Sequence, residues 1–141
     1  MSKTSLSTDA APAPAGAYSQ AVVANGFVFT AGLGPHDPAT GAVPAGIAAQ
    51  TRATLENISA ILRECGCVLD DAVKVTVHLA DLADFVEYDK VFGTFFSHPR
   101  PVRTTVGSQL AGILVEIDVV AALPVAATTE AAAVEETSTV L

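Results

Sequence analysis

The sequence predicts an α+β domain in which a mixed sheet carries two helices packed on one face. Three observations lead there. Two short β-like runs bracket Asn25-Gly26, a helical 3–4–3 spacing of apolar residues occurs twice, and apolar–polar alternation returns after each helical stretch. The resulting order, ββαβαββ, begins and ends on strand pairs, which suits helices gathered on one side of a sheet.

Each element has its own signal. The runs Gln20–Asn25 and Phe27–Gly32 form a predicted hairpin, because Asn-Gly readily adopts the positive φ angles of a two-residue turn. Residues 35–41, Pro-His-Asp-Pro-Ala-Thr-Gly, read as a loop. From Pro44 to Cys65 the pattern is helical, with Leu55, Ile58, Leu62 and Cys65 on one face, and Gly66 is placed to end the helix in a left-handed cap. In Ala72–Ala80 the residues Val73, Val75, Val77 and Leu79 alternate with Lys74, Thr76 and His78, a half-buried strand. Asp84 is a predicted cap for a second helix presenting Phe85, Tyr88, Phe92 and Phe95; five of the eight aromatics lie between Phe85 and Phe96, so this helix supplies much of the core's bulk. After Pro99 and Pro101 come two more strands, near Thr104–Leu110 and Leu114–Leu123.

The ends differ from this body. Residues 1–15 are rich in Ser, Thr, Ala and Pro and read as a flexible N-terminal segment; residues 125–141 lack Gly, Pro and aromatics and read as a disordered tail. The folded unit is expected over 16–124. With two helices on one face of the sheet, the other face is either wet or covered by another copy of the chain, and its small and apolar side chains favour oligomerisation.

Composition narrows the function. With 141 residues the chain suits one domain large enough for a real core. A net charge of −8 and scattered basic residues disfavour nucleic acid as a partner. No apolar run approaches the roughly 20 residues of a membrane span, and no secretory signal precedes the domain. Cys65 and Cys67 are too close for an unstrained disulfide and too few for a structural zinc shell, so they read as reduced thiols of a cytoplasmic protein. His36, His78 and His98 lack metal-binding spacing, and Asp70-Asp71 reads as a solvated turn. Nucleophile elbows and phosphate-binding glycine loops are absent from the sequence.

One constellation stands out. In Val115-Glu116-Ile117-Asp118-Val119 both acids project to the face opposite the apolar residues, and an acid there is costly to bury unless it is paired or functional. Arg103 opens the preceding strand, and a hairpin between the two strands brings it near Glu116. That arrangement reads either as a structural ion pair or as a guanidinium that grips a carboxylate beside a Glu that orients a water.

Several stretches resemble the RidA (YjgF) family of reactive-intermediate deaminases. Residues 16–21, Gly-Ala-Tyr-Ser-Gln-Ala, are similar to the family's G-P-Y-S-Q-A opening. Thr30-Ala31-Gly32 and the loop at 35–41 resemble T-S-G-Q-x-P-x-[ND]-P-x-T-G. Residues 50–57 resemble its first helix, and Val75 to Phe96 its next strand and helix. Pro101-Val102-Arg103-Thr104 is similar to P-A-R-[ST], and residues 115–118 to [VI]-E-I-[ED]. The resemblance spans about 16–122, and six pieces in order make it specific.

It implies a chorismate-mutase-like, YjgF-like fold assembled as a homotrimer with intersubunit clefts. It also implies cofactor-independent hydrolysis of enamines or imines such as 2-aminoacrylate to 2-oxo acids and ammonia, with no metal. By the same resemblance Arg103 grips the substrate carboxylate, assisted by the Thr105 backbone N–H. Glu116 holds or polarises the attacking water, Tyr18 lines the cleft, and Gly32 allows close backbone approach. Ala31 and Asp89 occupy lining positions where the family often has Ser and Asn. Leu33 replaces a Gln, Thr105 replaces a Cys, and the segments flanking Arg103 are shortened. These departures leave open a specialised imine substrate, or a non-catalytic trimer that binds small carboxylates. The ribonuclease role attached to some of the family is disfavoured by the acidic charge.

Overall fold

The computed structural model describes residues 2–124. The expected tail at 125–141 lies outside them. Six strands, β1 (Thr4–Leu6), β2 (Ala21–Ala24), β3 (Phe27–Thr30), β4 (Ala72–Leu79), β5 (Val102–Gly107) and β6 (Val115–Ala122), form one sheet in the order β1-β2-β3-β6-β4-β5. Helices α1 (Ile47–Arg63) and α2 (Phe85–Gly93) pack against each other, and α1 packs on β6. Among the described residues only β4 and β5 pair in parallel, with α2 as their crossover, so the sheet is mixed as expected.

Local signals act where they were read. Asn25 and Gly26 take φ values of 55° and 81°, closing the β2–β3 hairpin with Ala24 opposite Phe27. Gly66, at φ 77°, ends α1: its N–H donates to the Arg63 carbonyl and the Cys67 N–H reaches back to Leu62. In β6 the residues Val115, Ile117, Val119 and Ala121 are fully buried beneath the helices. With Val28, Val75, Val77 and Leu79 they meet Leu55, Ile58, Ile61 and Leu62 of α1 and Tyr88 and Phe92 of α2, forming one core.

Four expectations need correction. The N-terminal segment is not a flexible leader. Its strand β1 pairs with β2, and Leu6 packs on the core. The cause is Gln20, a buried amide whose Oε1 accepts the Thr8 N–H at 2.8 Å and whose Nε2 donates to the Thr8 and Pro12 carbonyls at 3.0 and 2.9 Å. A buried amide requires such partners, and this one finds them in the chain end. Val73 does not join Val75 and Val77: the register shifts between Ala72 and Lys74, leaving Val73 exposed while Ala72 takes the buried position. Asp84 makes no side-chain cap; Asp81, three residues earlier, accepts the Ala83 N–H at 2.9 Å and starts the short 3-10 turn that leads into α2. Asp70 and Asp71 are more than a solvated turn, since their carboxylates accept the backbone N–H groups of Ser97 and Val68.

The face away from the helices carries Phe27 and Phe29 of β3, Val102 and Val106 of β5, and a polar line between them formed by Lys74, His78, Glu116 and Asp118. Phe29 is 42% exposed. His78 Nδ1 lies 2.7 Å from Ser108 Oγ. Burial pushes the Asp118 carboxyl above its ordinary value, while His78 and Lys74 pull it down less strongly. A folded-state pKa above the unfolded value means that the charged form opposes folding. This penalty is present at neutral pH and is relieved as pH falls through the folded pKa. Asp118→Asn is therefore expected to raise the melting temperature at pH 7 by about 2–4 °C, with the gain shrinking toward pH 4. Thermal melts across that range check this; a destabilised variant at pH 7 contradicts it.

The two cysteines are free. Cys67 is buried, and burial first, then the neighbouring Cys65, pushes its thiol up to about 12, so it stays protonated at neutral pH.

Candidate functional site

Two separate concavities hold all the sequence-predicted site residues except Thr105. The first, about 660 Å³, opens on the side of the exposed sheet face and is lined by Tyr18, Ala31, Gly32, His36, Leu110 and Glu116 among others. Its floor comes from an irregularity in the β3 line. From Phe29 to Leu33 that chain advances four residues, whereas its partner advances three, from Val120 to Ile117. The extra residue breaks the ladder, and the Thr30 hydroxyl compensates by accepting the Val119 N–H at 3.0 Å. The bulge turns Ala31 and Gly32 toward the cavity. Leu33 re-enters the sheet through paired bonds with Ile117 and is itself buried.

Gly32 leaves room for the end of the Glu116 side chain, which a larger residue would displace. A β-carbon there would stand 2.9 Å from both Cδ and Oε1 of Glu116. The Glu116 carboxylate therefore rests against bare backbone at the cavity wall, where it is half-buried. The opposite wall is tied down by Asn57 of α1, whose Nδ2 donates to the carbonyls of Gly34 and His36 at 2.9 and 3.0 Å. Asp37 organises the following turn by accepting the N–H groups of Ala39 and Thr40, and these bonds hold its carboxyl below the usual value.

The second concavity, about 410 Å³, is lined by Asp89, Phe92, Gly93, Arg100, Pro101 and Arg103. Arg103 stands opposite Val75 in the parallel β4–β5 pair and so shares the helix-side face. Its guanidinium carbon sits 4.7, 5.2 and 5.5 Å from the ring centres of Phe92, Tyr88 and Phe85. Nη1 donates to Asp89 Oδ1 at 2.7 Å. Two residues on, the Thr105 hydroxyl bonds the Tyr88 hydroxyl at 2.8 Å, and burial raises the Tyr88 pKa above its ordinary value. The predicted aromatic stripe of α2 is thus both core and platform for Arg103.

The expected hairpin between the Arg103 and Glu116 strands does not exist. Strand β4 lies between β5 and β6, pairing with both. Glu116 faces His78 on the open side, whereas Arg103 lies under α2, so within one chain the two are two strands apart on opposite faces. The ion pair that Arg103 does make is with Asp89. Tyr18, Ala31, Gly32 and Glu116 thus form one group, and Asp89, Arg103 and Thr105 the other. No local pattern announces that Leu110 and His36 line the first cavity or that Arg100 lines the second. The Thr-Ala-Gly at the end of a strand is the only trace of the bulge.

Comparisons with known proteins identify the family and its fold. The family model described as Endoribonuclease L-PSP matches residues 8–123. A RutC family protein of Pyrococcus abyssi is 44% identical over 124 residues, covering 86% of this chain and 98% of that protein. The 2-iminobutanoate/2-iminopropanoate deaminase of Rattus norvegicus is 37% identical over 119 residues, covering 82% and 87%. The crystal structure of RidA from the Antarctic bacterium Psychrobacter superposes with a TM-score of 0.82 at 38% identity, covering 85% of this chain and 99% of that one. A shared ββαβαββ core, a matched family model and relatives matched over nearly their whole length together place the chain in the RidA (YjgF) family.

Proposed function

We propose that the chain is a hydrolytic deaminase of 2-imino acids and their enamine tautomers, working without a cofactor as a cytoplasmic homotrimer whose sites form between subunits. The observation that carries this reading is the separation of Arg103 from Glu116. Each lines an open concavity, and neither concavity alone holds both Arg103 and Glu116. In a cyclic trimer the Glu116 cavity of one copy meets the Arg103 cavity of the next, and the apolar residues of the open face are covered at the same time. The name of the rat relative supports the substrate class.

The chemistry asks little of the protein. Arg103 binds the substrate carboxylate through its remaining N–H groups and holds the C=N carbon at the Glu116 wall. Glu116 accepts a proton from the attacking water as the C–O bond forms and returns it to nitrogen; the resulting carbinolamine expels ammonia and leaves the 2-oxo acid. Gly32 leaves room for the carboxylate and the water. The test is to generate 2-aminoacrylate in situ and follow pyruvate and ammonia with and without the protein. Acceleration above the spontaneous rate supports the reading, and its absence rejects it for this substrate.

A further inference from the structure

Arg103 does not face its cavity as a lone cation. Asp89, on α2, accepts from its Nη1 at 2.7 Å, and the Arg103 side chain is 22% exposed and that of Asp89 48%. Three rings behind the guanidinium restrict its plane, so the contact is presented toward the cavity that both residues line. A carboxylate offers about four acceptor positions, and this bond uses one of Asp89's. The exposed Asp89 therefore retains acceptor capacity beside the remaining N–H donors of Arg103. The cavity thus presents a positive and a negative group side by side, with Arg100 as a further cation at its wall. Two guanidinium groups against one carboxylate leave a weakly positive lining, and removing the Asp89 charge doubles it.

We propose that Asp89 determines specificity by charge, so that the site favours ligands carrying a carboxylate and a cationic N–H together, the iminium form of a 2-imino acid, over simple carboxylates. This rests on the reading of Arg103 as the carboxylate grip. The ligand carboxylate takes the donors Arg103 has left, while Asp89 accepts from the ligand's N–H. A 2-oxo acid meets the same Arg103 but has only an oxygen to set against Asp89, so the product is repelled where the substrate is held. The pair thereby favours product release as well as substrate choice.

The experiment measures binding of two stable probes, pyruvate and zwitterionic alanine, by calorimetry to the wild-type assembly, Asp89→Asn and Arg103→Gln. Asp89→Asn keeps size and hydrogen bonding at a half-exposed position and is expected to fold; Arg103→Gln keeps much of the stem that packs on the rings. The expected result is opposite movement in Asp89→Asn: pyruvate about 3- to 10-fold tighter and alanine about 3- to 10-fold weaker, a range set by one partly screened charge. In Arg103→Gln both probes are lost. If Arg103→Gln loses both probes while Asp89→Asn leaves both unchanged, or weakens both, the specificity role is overturned and the Arg103 grip stands. If Arg103→Gln binds both as wild type does, the grip itself is wrong and the inference falls with it.

Discussion

Mixed trimers of Arg103→Gln and Glu116→Gln subunits are expected to regain about one third of the wild-type rate, although each variant alone has lost nearly all activity. Each single substitution removes one function of the proposed site. Arg103→Gln takes away the charged fork for the carboxylate, and Glu116→Gln takes away the base; each is expected to lower kcat/KM for imine hydrolysis by about 100-fold or more. Neither loss can be made good within a chain, because Arg103 and Glu116 lie on opposite faces of one sheet with β4 between their strands. In a ring of mixed subunits, an intact site arises wherever an Arg103→Gln subunit supplies Glu116 and an Glu116→Gln neighbour supplies Arg103. Every trimer that holds both kinds of subunit contains that pairing at one of its three interfaces, about one site in three. Co-expression with two different tags, purification of the doubly tagged species and the pyruvate assay provide the measurement. Mixed trimers with no recovery would show that the two residues do not meet across a subunit boundary.

The second large effect is on assembly. Wild-type protein is expected to sediment as three copies of the 14.3 kDa chain, about 43 kDa, and Phe29→Asp as a folded monomer without activity. Phe29 is well exposed on the open face and neighbours Val22 and Val120 across the β2–β3 and β3–β6 pairs. An unpaired carboxylate in a covered apolar patch costs more than such a contact returns, whereas on a wet sheet face it costs little. The folded core beneath belongs to Val28 and its neighbours on the other face, so helix content should be retained. Analytical ultracentrifugation with circular dichroism checks both halves. A monomeric wild type, or a monomeric Phe29→Asp variant with full activity, contradicts the composite site.

The likeness of this chain to its relatives explains which parts of the site could be read without coordinates. Arg103 and Glu116 stand out because a guanidinium at a strand mouth and an acid on an alternating strand are locally unusual. Their relation could not be read, because the shortest topology joins two consecutive strands in a hairpin. Here β6 instead inserts between β3 and β4, and its ladder hydrogen bonds come from backbone groups that any residue carries. Asp89 was legible as a departure from the family pattern, but its bond to Arg103 depends on α2 crossing over β5. The N-terminal segment carries few structural signals of its own; it is held by one buried amide, Gln20, whose partners are all backbone atoms.

What the sequence by itself determined is therefore local. Asn25-Gly26 closes a hairpin, Gly66 stops a helix, the alternation of β6 separates a buried row from Glu116 and Asp118, and the aromatic spacing of α2 builds a platform. Each follows from the dihedral preferences or periodicity of a few adjacent residues. Only the tertiary structure decided the strand order, the bulge that bares Gly32 to Glu116, and the division of the site residues between two faces. These depend on pairing between distant segments, where the whole core settles which backbone groups meet. The predicted sheet with two helices on one face held; the residues expected along one hairpin lie in two groups on opposite faces of the sheet.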